Sequence, residues 1–339
     1  MEIRFGKKQI EGLGGQDISG PLTLLTDEKR ADKVADRLAA KPAEERTVTG
    51  LSQEALDELC AGLEAGTVLA AGGADMSYAG RYAAWKTGSG LIIVPYEISG
   101  EPLVRRDVIT IEEGLFRRHG HLDDELILVD AENIWKGDEP TSRSACGDIL
   151  GILTAVEDWR KAEGGSGFND ETAQEAVDIV DELLDRADDL FDLTEGGIRR
   201  LVELLKARED LADKNGTRRM VEGAERIFEE CALNVTGKPL SHGPLRCLGV
   251  MVITVLHGLP SRSLKQFLHW VQVPWKPESQ GLTDTDLWKI LSSLPSFIKK
   301  HEYPETILHH VEMSEERINQ VIMGVREPFL KSSLQTRND

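Results

Sequence analysis

Three short segments carry residue types that could together form one active site. Asp148 lies in CGDILG, Arg226 ends GTRRMVEGAER, and His242 lies in LSHG. A carboxylate and an imidazole can each bind a divalent metal ion or transfer a proton. A guanidinium is permanently cationic and has no lone pair to donate, so Arg226 would repel such an ion. The chemistry therefore depends on whether these segments form a metal centre or an acid–base site.

Asp148 and His242 each have a simpler structural explanation. Asp148 comes near the start of the helical pattern GDILGILTAVEDWRKA, where the helix dipole favours an acidic residue. His242 precedes the apolar helical pattern PLRCLGVMVITVLHG and could be a cap or packing residue. His257 cannot join His242 on one metal ion, because fifteen residues of continuous helix separate them by roughly 22 Å.

A pair of glycines marks a turn that could bind phosphate. Gly72 and Gly73 end the apolar run TVLAAGG and precede MSYAGRYAAWK, which has helical spacing. Glycines between a strand and a helix let a phosphate approach the N–H groups at the positive end of the helix. A tight turn also requires glycine, so this pattern alone leaves both interpretations open.

Arginines near the middle segment could hold an anionic substrate. Arg219, Glu222 and Arg226 recur at i, i+3 and i+7, which predicts one face of a helix over residues 218–233. That face is either a surface salt-bridge ladder or a bidentate clamp for a phosphate or carboxylate. Arg218 and Arg246 are further candidates for the same basic pocket.

Composition narrows the range of partners and locations. The 339-residue chain has 40% apolar and 29% charged residues, which is ordinary for a soluble globular protein and long enough for two domains. Its net charge of −19 argues against nucleic-acid and anionic-membrane partners. Its apolar runs are shorter than a membrane span and none follows Met1, so we expect a cytoplasmic protein. The four cysteines form no CxxC pair and are expected to be reduced thiols.

The order of patterns predicts an α/β region followed by a helical one. Short apolar runs alternate with helical spacing up to about residue 135, which favours a largely parallel sheet. The predicted strands are PLTLLTDE (21–28), TVLAAGG (67–73), GLIIVPY (90–96), DVITIEEG (107–114) and ELILVD (125–130). From about Thr141 onward nearly every segment has helical spacing. We therefore expect an α/β dinucleotide-binding-like domain over 1–140 and an all-α domain over 141–339.

Taken in order, these segments resemble the dehydroquinate synthase-like superfamily, which includes the iron-containing alcohol dehydrogenases, and in particular its glycerol-1-phosphate dehydrogenase branch. The resemblance covers most of residues 1–260. The segments that carry it are VLAAGGADMSYAGRYAAWKTG, LIIVPY, DELILVDAENIWKGDEPTSRSACGDILGILTAVEDWRKA and GTRRMVEGAER followed by LSHG.

The resemblance implies a cofactor and a metal ion in a cleft between two domains. NAD(P) phosphates would rest on Gly72 and Gly73, with Tyr96 beside the cofactor where the family has threonine. A zinc or iron ion would polarise the substrate oxygen, and Asp148 and His242 match two of its three ligands. Arg226 stands where the family supplies a histidine, which argues against the ion.

Three hypotheses follow. The first is an NAD(P)-dependent oxidoreductase for a small anionic polyol or ketone, such as a phosphorylated one. Asp148, His242 and Arg226 would lie at the reacting oxygen, and Arg219, Arg226 and Arg246 on the anion. The second is a metal-free lyase, isomerase or cyclase that uses His242 as acid or base and the arginines as an anion clamp. The third is a catalytically silent relative. A homodimer is one assembly such a chain could form.

Overall fold

The computed structural model describes residues 1–28, 30–162 and 167–327. The strands are β1 (Glu2–Phe5), β2 (Leu22–Thr26), β3 (Glu44–Thr47), β4 (Thr67–Gly72), β5 (Gly90–Pro95), β6 (Asp107–Glu112), β7 (Leu115–His121) and β8 (Glu125–Val129). Six of them form a parallel sheet in the order β1-β8-β5-β4-β2-β3, while β6 and β7 pair antiparallel by themselves.

All five predicted strands form, but one lies elsewhere than expected. Four join the parallel sheet, whereas DVITIEEG becomes β6, which pairs with β7 across a turn at Glu113 and Gly114. Both turn residues have positive φ, 50° and 81°, so the chain reverses there and does not cross over to the sheet. The sequence patterns missed β3, because its segment EERT contains no apolar residue and lies at the edge of the sheet.

Fifteen α-helices lie within the described residues. They are α1 (Ala31–Ala35), α2 (Gln53–Cys60), α3 (Ala74–Thr87), α4 (Glu101–Val104), α5 (Ala131–Trp135), α6 (Glu139–Ser144), α7 (Cys146–Lys161), α8 (Asp170–Leu184), α9 (Ala187–Asp192), α10 (Glu195–Asn215), α11 (Ala224–Thr236), α12 (His242–His257), α13 (Arg262–Trp270), α14 (Asp284–Lys300) and α15 (Glu315–Arg326). After β8, the described residues contain helices and turns but no strand. This arrangement confirms the expected fold class, a parallel α/β part followed by an all-α part.

The helix predicted over residues 218–233 starts later than its pattern indicated. Gly223 is extended, with φ −136° and ψ −148°, and α11 begins at Ala224. The Ala224 N–H donates to Asp158 Oδ2 at 2.7 Å, so a carboxylate from α7 caps the helix at that point. Arg219 and Glu222 therefore precede the helix, and the prediction that they share a helical face with Arg226 was wrong.

Apolar side chains cover both faces of the parallel sheet, as expected for parallel strands. Leu24 and Leu69 pack in a small cluster on one face. Leu25 and Val68 belong to the main core on the other face, which continues through the helical part to Val325. Within the described ranges, none of the helices has the length and apolar character that a bilayer crossing requires.

Candidate functional site

Asp148 and His242 are in direct contact. Asp148 lies in the first turn of α7 and His242 is the first residue of α12. His242 Nε2 is 3.0 Å from Asp148 Oδ2. Residues 94 positions apart in the sequence thus form one buried pair, which is the juxtaposition that the order of the motifs predicts.

Two glycines bring the helices close enough for this contact. A methyl group placed on Gly147 would lie 2.7 Å from Cys247 Sγ, and one placed on Gly243 would lie 2.8 Å from Ser144 Cβ. Real side chains do not approach so closely, so only glycine fits at either position. The start of α12 therefore lies against the junction of α6 and α7 with almost no side chain between the two backbones.

Asp148 is held in its ionised form. Its Oδ2 accepts a hydrogen bond from the Glu101 N–H at 2.6 Å, and Arg246 Nε lies 3.4 Å from its Oδ1. Burial opposes the charge, but the cations of His242 and Arg246 outweigh it and lower the pKa of Asp148 to about 2. Gly100 faces this carboxylate with φ 78°, a left-handed conformation that suits glycine.

His242 lies between two carboxylates. Its Nδ1 is 2.6 Å from Glu229 Oε1, opposite the contact of Nε2 with Asp148. Burial disfavours the imidazolium, but the charges of Asp148 and Glu229 prevail and raise the pKa of His242 to about 10. His242 is therefore protonated at neutral pH and donates through both nitrogens.

Arg246 is buried beneath this pair. Its side chain is 1% exposed, and its Nη2 lies 2.8 Å from Glu229 Oε2. Asp148 and Glu225 are within 3.5 Å of other atoms of the same guanidinium. None of the three nitrogens has an aligned hydrogen-bond partner among the described residues, so opposite charge holds Arg246 in place.

Arg226 is enclosed by acidic side chains of its own. Its Nη1 lies 3.1 Å from Glu101 Oε1 and 3.2 Å from Glu222 Oε1, and its Nε lies 3.3 Å from Glu230 Oε1. Its guanidinium carbon also stacks 4.8 Å from the centroid of the Phe116 ring. These ion pairs connect Arg226 to the charged residues around Asp148, and together they form one buried cluster, which we call the ion network. Its members are Glu101, Arg105, Asp148, Arg208, Glu209, Arg218, Glu222, Glu225, Arg226, Glu229, Glu230, His242 and Arg246.

The residues present do not fit a divalent metal ion. A guanidinium occupies the third ligand position, and a second one, from Arg246, lies 3.4 Å from Asp148. A zinc or iron site needs lone pairs from at least three protein groups, and a cation this close to the carboxylate opposes the ion. Across residues 1–28, 30–162 and 167–327, no three His, Cys, Asp or Glu side chains converge as metal ligands.

The glycine turn is covered by a side chain in this structure. A methyl group placed on Gly73 would overlap Glu97 Oε1 and lie 2.7 Å from Glu97 Cδ, so a carboxylate covers the turn. The Ala74 N–H at the start of α3 lies beside the same carboxylate and favours its charged form. Tyr96 is engaged elsewhere, because its hydroxyl accepts from Arg37 at 3.4 Å and Arg30 stacks over its ring.

The site opens into a cleft of about 1020 Å³. His242, Glu229 and Gly73 lie on its walls, whereas Arg219, Arg226 and Arg246 are not among its described lining residues. Arg219 donates to the Glu305 carbonyl at 2.7 Å, so the expected arginine clamp is not assembled in this cleft. A second concavity of about 560 Å³ lies beside Trp270 and Trp275 and contains none of the predicted site residues.

Sequence patterns missed three residues that complete the site. Glu229 follows Arg226 by three positions within α11, so helical spacing could have placed it near the motif. Glu97 and Glu101 lie in the stretch EISGEP, which carries no strand pattern and no extended helical one. Their roles depend on how the chain turns after β5, and that turn has no local signature.

Comparisons with known proteins agree on the architecture. No protein-family model matches the chain. A glycerol-1-phosphate dehydrogenase [NAD(P)+] of Sulfurisphaera tokodaii is 22% identical over 290 residues, which cover 81% of each chain. An iron-containing alcohol dehydrogenase of Corynebacterium glutamicum superposes with a TM-score of 0.68 at 13% identity, covering 97% of this chain and 96% of that one.

A synthase has the same architecture. The 2-epi-5-epi-valiolone synthase ValA of Streptomyces hygroscopicus, whose structure holds NAD+ and Zn2+, superposes with a TM-score of 0.67 at 14% identity, covering 96% of each chain. Similarity at this level establishes the fold. The chain therefore has the fold of the dehydroquinate synthase-like and iron-containing alcohol dehydrogenase superfamily, and its sequence resembles the glycerol-1-phosphate dehydrogenases.

Proposed function

We propose that this protein is a metal-independent enzyme that acts on a small polyhydroxylated carbonyl compound, with His242 as proton donor to a substrate oxygen. The observation that carries the proposal is the position of His242 on the cleft wall, with each ring nitrogen against a buried carboxylate. Its side chain is 13% exposed, so the ring is accessible from the cleft.

The ion network can supply the charge that a metal ion would otherwise provide. In the superfamily that the sequence resembles, a metal ion polarises the substrate oxygen. Here the imidazolium of His242 lies on the cleft wall, and the buried guanidinium of Arg246 lies behind it. A preorganised cation next to an oxygen that gains negative charge is an effective catalyst in a water-poor site.

A substrate oxygen would take the N–H that His242 now donates to Glu229. Both carboxylates are buried, but Glu229 contributes to the cleft wall and Asp148 does not, so we assign to Asp148 the role of keeping the imidazole oriented. Proton delivery to a carbonyl or a leaving hydroxyl is the shared requirement of lyases, isomerases and cyclases that act on hydroxycarbonyl compounds.

The charge of the cleft favours an uncharged substrate over a phosphorylated one. Its acidic lining residues are Asp27, Asp75, Glu97, Glu113, Asp138 and Glu229, and its basic ones are Arg30, Lys238 and His242. Lys238 is paired with Asp286 at 2.7 Å and Arg30 with Asp27, so little free positive charge remains for a phosphate. The relatives named after glycerol 1-phosphate and valiolone suggest a polyhydroxylated substrate.

The test combines metal analysis with a nucleotide-free reaction. Proton NMR in D2O should follow dihydroxyacetone, glyceraldehyde and a cyclic polyhydroxyketone incubated with the protein and EDTA. We expect the wild type to exchange hydrogen for deuterium at the carbon next to the carbonyl, or to consume the substrate. The His242→Gln variant should lose this activity, and the His310→Gln variant should keep it. His310 is an exposed histidine paired with Glu305 outside the cleft. Stoichiometric zinc or iron, or turnover that survives in His242→Gln, would contradict the proposal.

A second candidate is the NAD(P)-dependent oxidoreductase of a small anionic polyol or ketone. Sequence similarity to a glycerol-1-phosphate dehydrogenase over 81% of the chain favours it. Reduction of dihydroxyacetone phosphate by NADH or NADPH, followed at the absorbance of the reduced nicotinamide, tests it directly. Turnover in that assay would favour this candidate over the nucleotide-free reaction.

A further inference from the structure

The start of α3 carries an internal substitute for a phosphate group. The helix begins at Ala74, directly after Gly73, and its N-cap makes no side-chain hydrogen bond. The Glu97 carboxylate occupies the space above Gly73, where its oxygen would overlap an added methyl group, and the Ala74 N–H lies beside it. An anion is therefore already bound where helix N-termini hold phosphates.

The backbone directs Glu97 to this position. Gly72 at the end of β4 pairs with Pro95 at the end of β5, and the Tyr96 N–H donates to the Gly72 carbonyl at 2.9 Å. The two strand ends are thus fixed side by side up to Tyr96. The next residue, Glu97, therefore emerges beside the turn.

We propose that Glu97 closes this turn to phosphate and thereby makes the protein reject NAD(P). Volume and charge act together, because a pyrophosphate on Gly73 would overlap the carboxylate and meet its negative charge. The inference concerns ligand selection at the α3 end of the cleft and does not depend on the reaction at His242.

Neighbouring acidic residues make the α3 end of the cleft still less favourable for a phosphate. Burial raises the pKa of Glu97, and repulsion from Asp138 raises it further, which shows that acidic groups converge on this end of the cleft. Asp75 in the first turn of α3 adds a negative charge where a phosphate would need a positive or neutral neighbour. The cation facing Glu97 is Arg30, which pairs with Asp27 and stacks 5.3 Å from the Tyr96 ring centroid.

The test is a fluorescence titration of NADH and of NADPH into four proteins. They are the wild type, Glu97→Gln, Glu97→Ala and the matched control Glu113→Gln, which removes a carboxylate from another part of the cleft wall. We expect Glu97→Ala to bind at least one of the nucleotides roughly tenfold or more tightly than the wild type. Glu97→Gln keeps the side-chain volume and removes the charge, so its nucleotide affinity should lie between those of the wild type and Glu97→Ala. Glu113→Gln should have the affinity of the wild type.

Several outcomes would overturn the inference. One is equal affinity of the wild type and both Glu97 variants, and another is the absence of binding in all four proteins. A gain in Glu113→Gln as large as that in Glu97→Ala would assign the effect to overall cleft charge. Circular dichroism verifies folding, and Glu97→Gln serves as the test if Glu97→Ala is unfolded. Metal content and the His242-dependent reaction are separate readouts, so failure of one proposal leaves the other identifiable.

Discussion

At the scale of single residues, Arg226 determines how the centre of this molecule is built. Its guanidinium contacts Glu101, Glu222 and Glu230, and these contacts would not form around a neutral histidine. The identity of Arg226 could be interpreted from sequence, because guanidinium chemistry excludes a ligand role. Its partners could not, since Glu101 reaches it from α4, 125 positions away.

Buried Glu225 should make the stability of the protein depend on pH. Burial raises the pKa of Glu225 to about 7, with partial opposition from Arg246, against an ordinary value of 4.5. The folded chain therefore holds a proton that the unfolded chain has released, and stability falls as pH rises from about 4.5 to 7. Relative to the wild type, Glu225→Gln should gain on the order of 3 kcal/mol between pH 4.5 and 8.

Urea unfolding of both proteins at several pH values measures this difference. The matched control is Glu203→Gln, which removes an exposed carboxylate from α10. A constant difference between the wild type and Glu225→Gln across this range would show that Glu225 ionises alike in the folded and unfolded chains.

At the scale of elements, the contact between α7 and α12 fixes the distance between Asp148 and His242. In Gly243→Ala the added methyl would press on Ser144, the last residue of α6 just before α7, with 2.8 Å to Cβ and 3.0 Å to the backbone carbon. We expect a loss of about 1–3 kcal/mol in the free energy of unfolding, because neither backbone can yield without separating the helices. Urea denaturation followed by circular dichroism measures it.

Gly15→Ala is the control for that substitution. A methyl group on Gly15 meets no atom within 4 Å, so the same chemical change should leave stability unchanged or slightly raised. Equal effects of the two substitutions would mean that the helix contact at Gly243 is not tight in solution.

Elements with a strong apolar period were predictable from sequence, and those fixed by distant partners were not. The apolar runs of β4, β5 and β8 and the long helices α7 and α12 lie where their spacing indicated. The start of α11 was misplaced by six residues, from 218 to 224, because Asp158 on another helix caps it. The sequence also did not predict that a side chain covers Gly73, because that side chain belongs to Glu97, which follows the end of a neighbouring strand.

At the scale of the whole molecule, the main core should make unfolding a single cooperative event. It runs from Leu25 on β2 to Val325 on α15 and crosses the domain boundary that the sequence predicts at residue 140. We expect urea transitions followed by far-ultraviolet circular dichroism and by tryptophan fluorescence to coincide. Two separated transitions would instead support independent domains over 1–140 and 141–339, a division that stays a prediction.

The ion network also bears on protein engineering. Arg226 neutralises Glu101, Glu222 and Glu230, while Arg246 neutralises Asp148, Glu225 and Glu229. Exchanging Arg226 alone leaves Glu230 without an ion pair among the described residues, and exchanging Arg246 alone takes one of two cations from Asp148 and from Glu229. Either change costs on the order of a few kcal/mol before any new ligand can compensate. A designer who wishes to install zinc here must therefore rebuild both halves of the cluster at once, because each stepwise route passes through a less stable intermediate sequence.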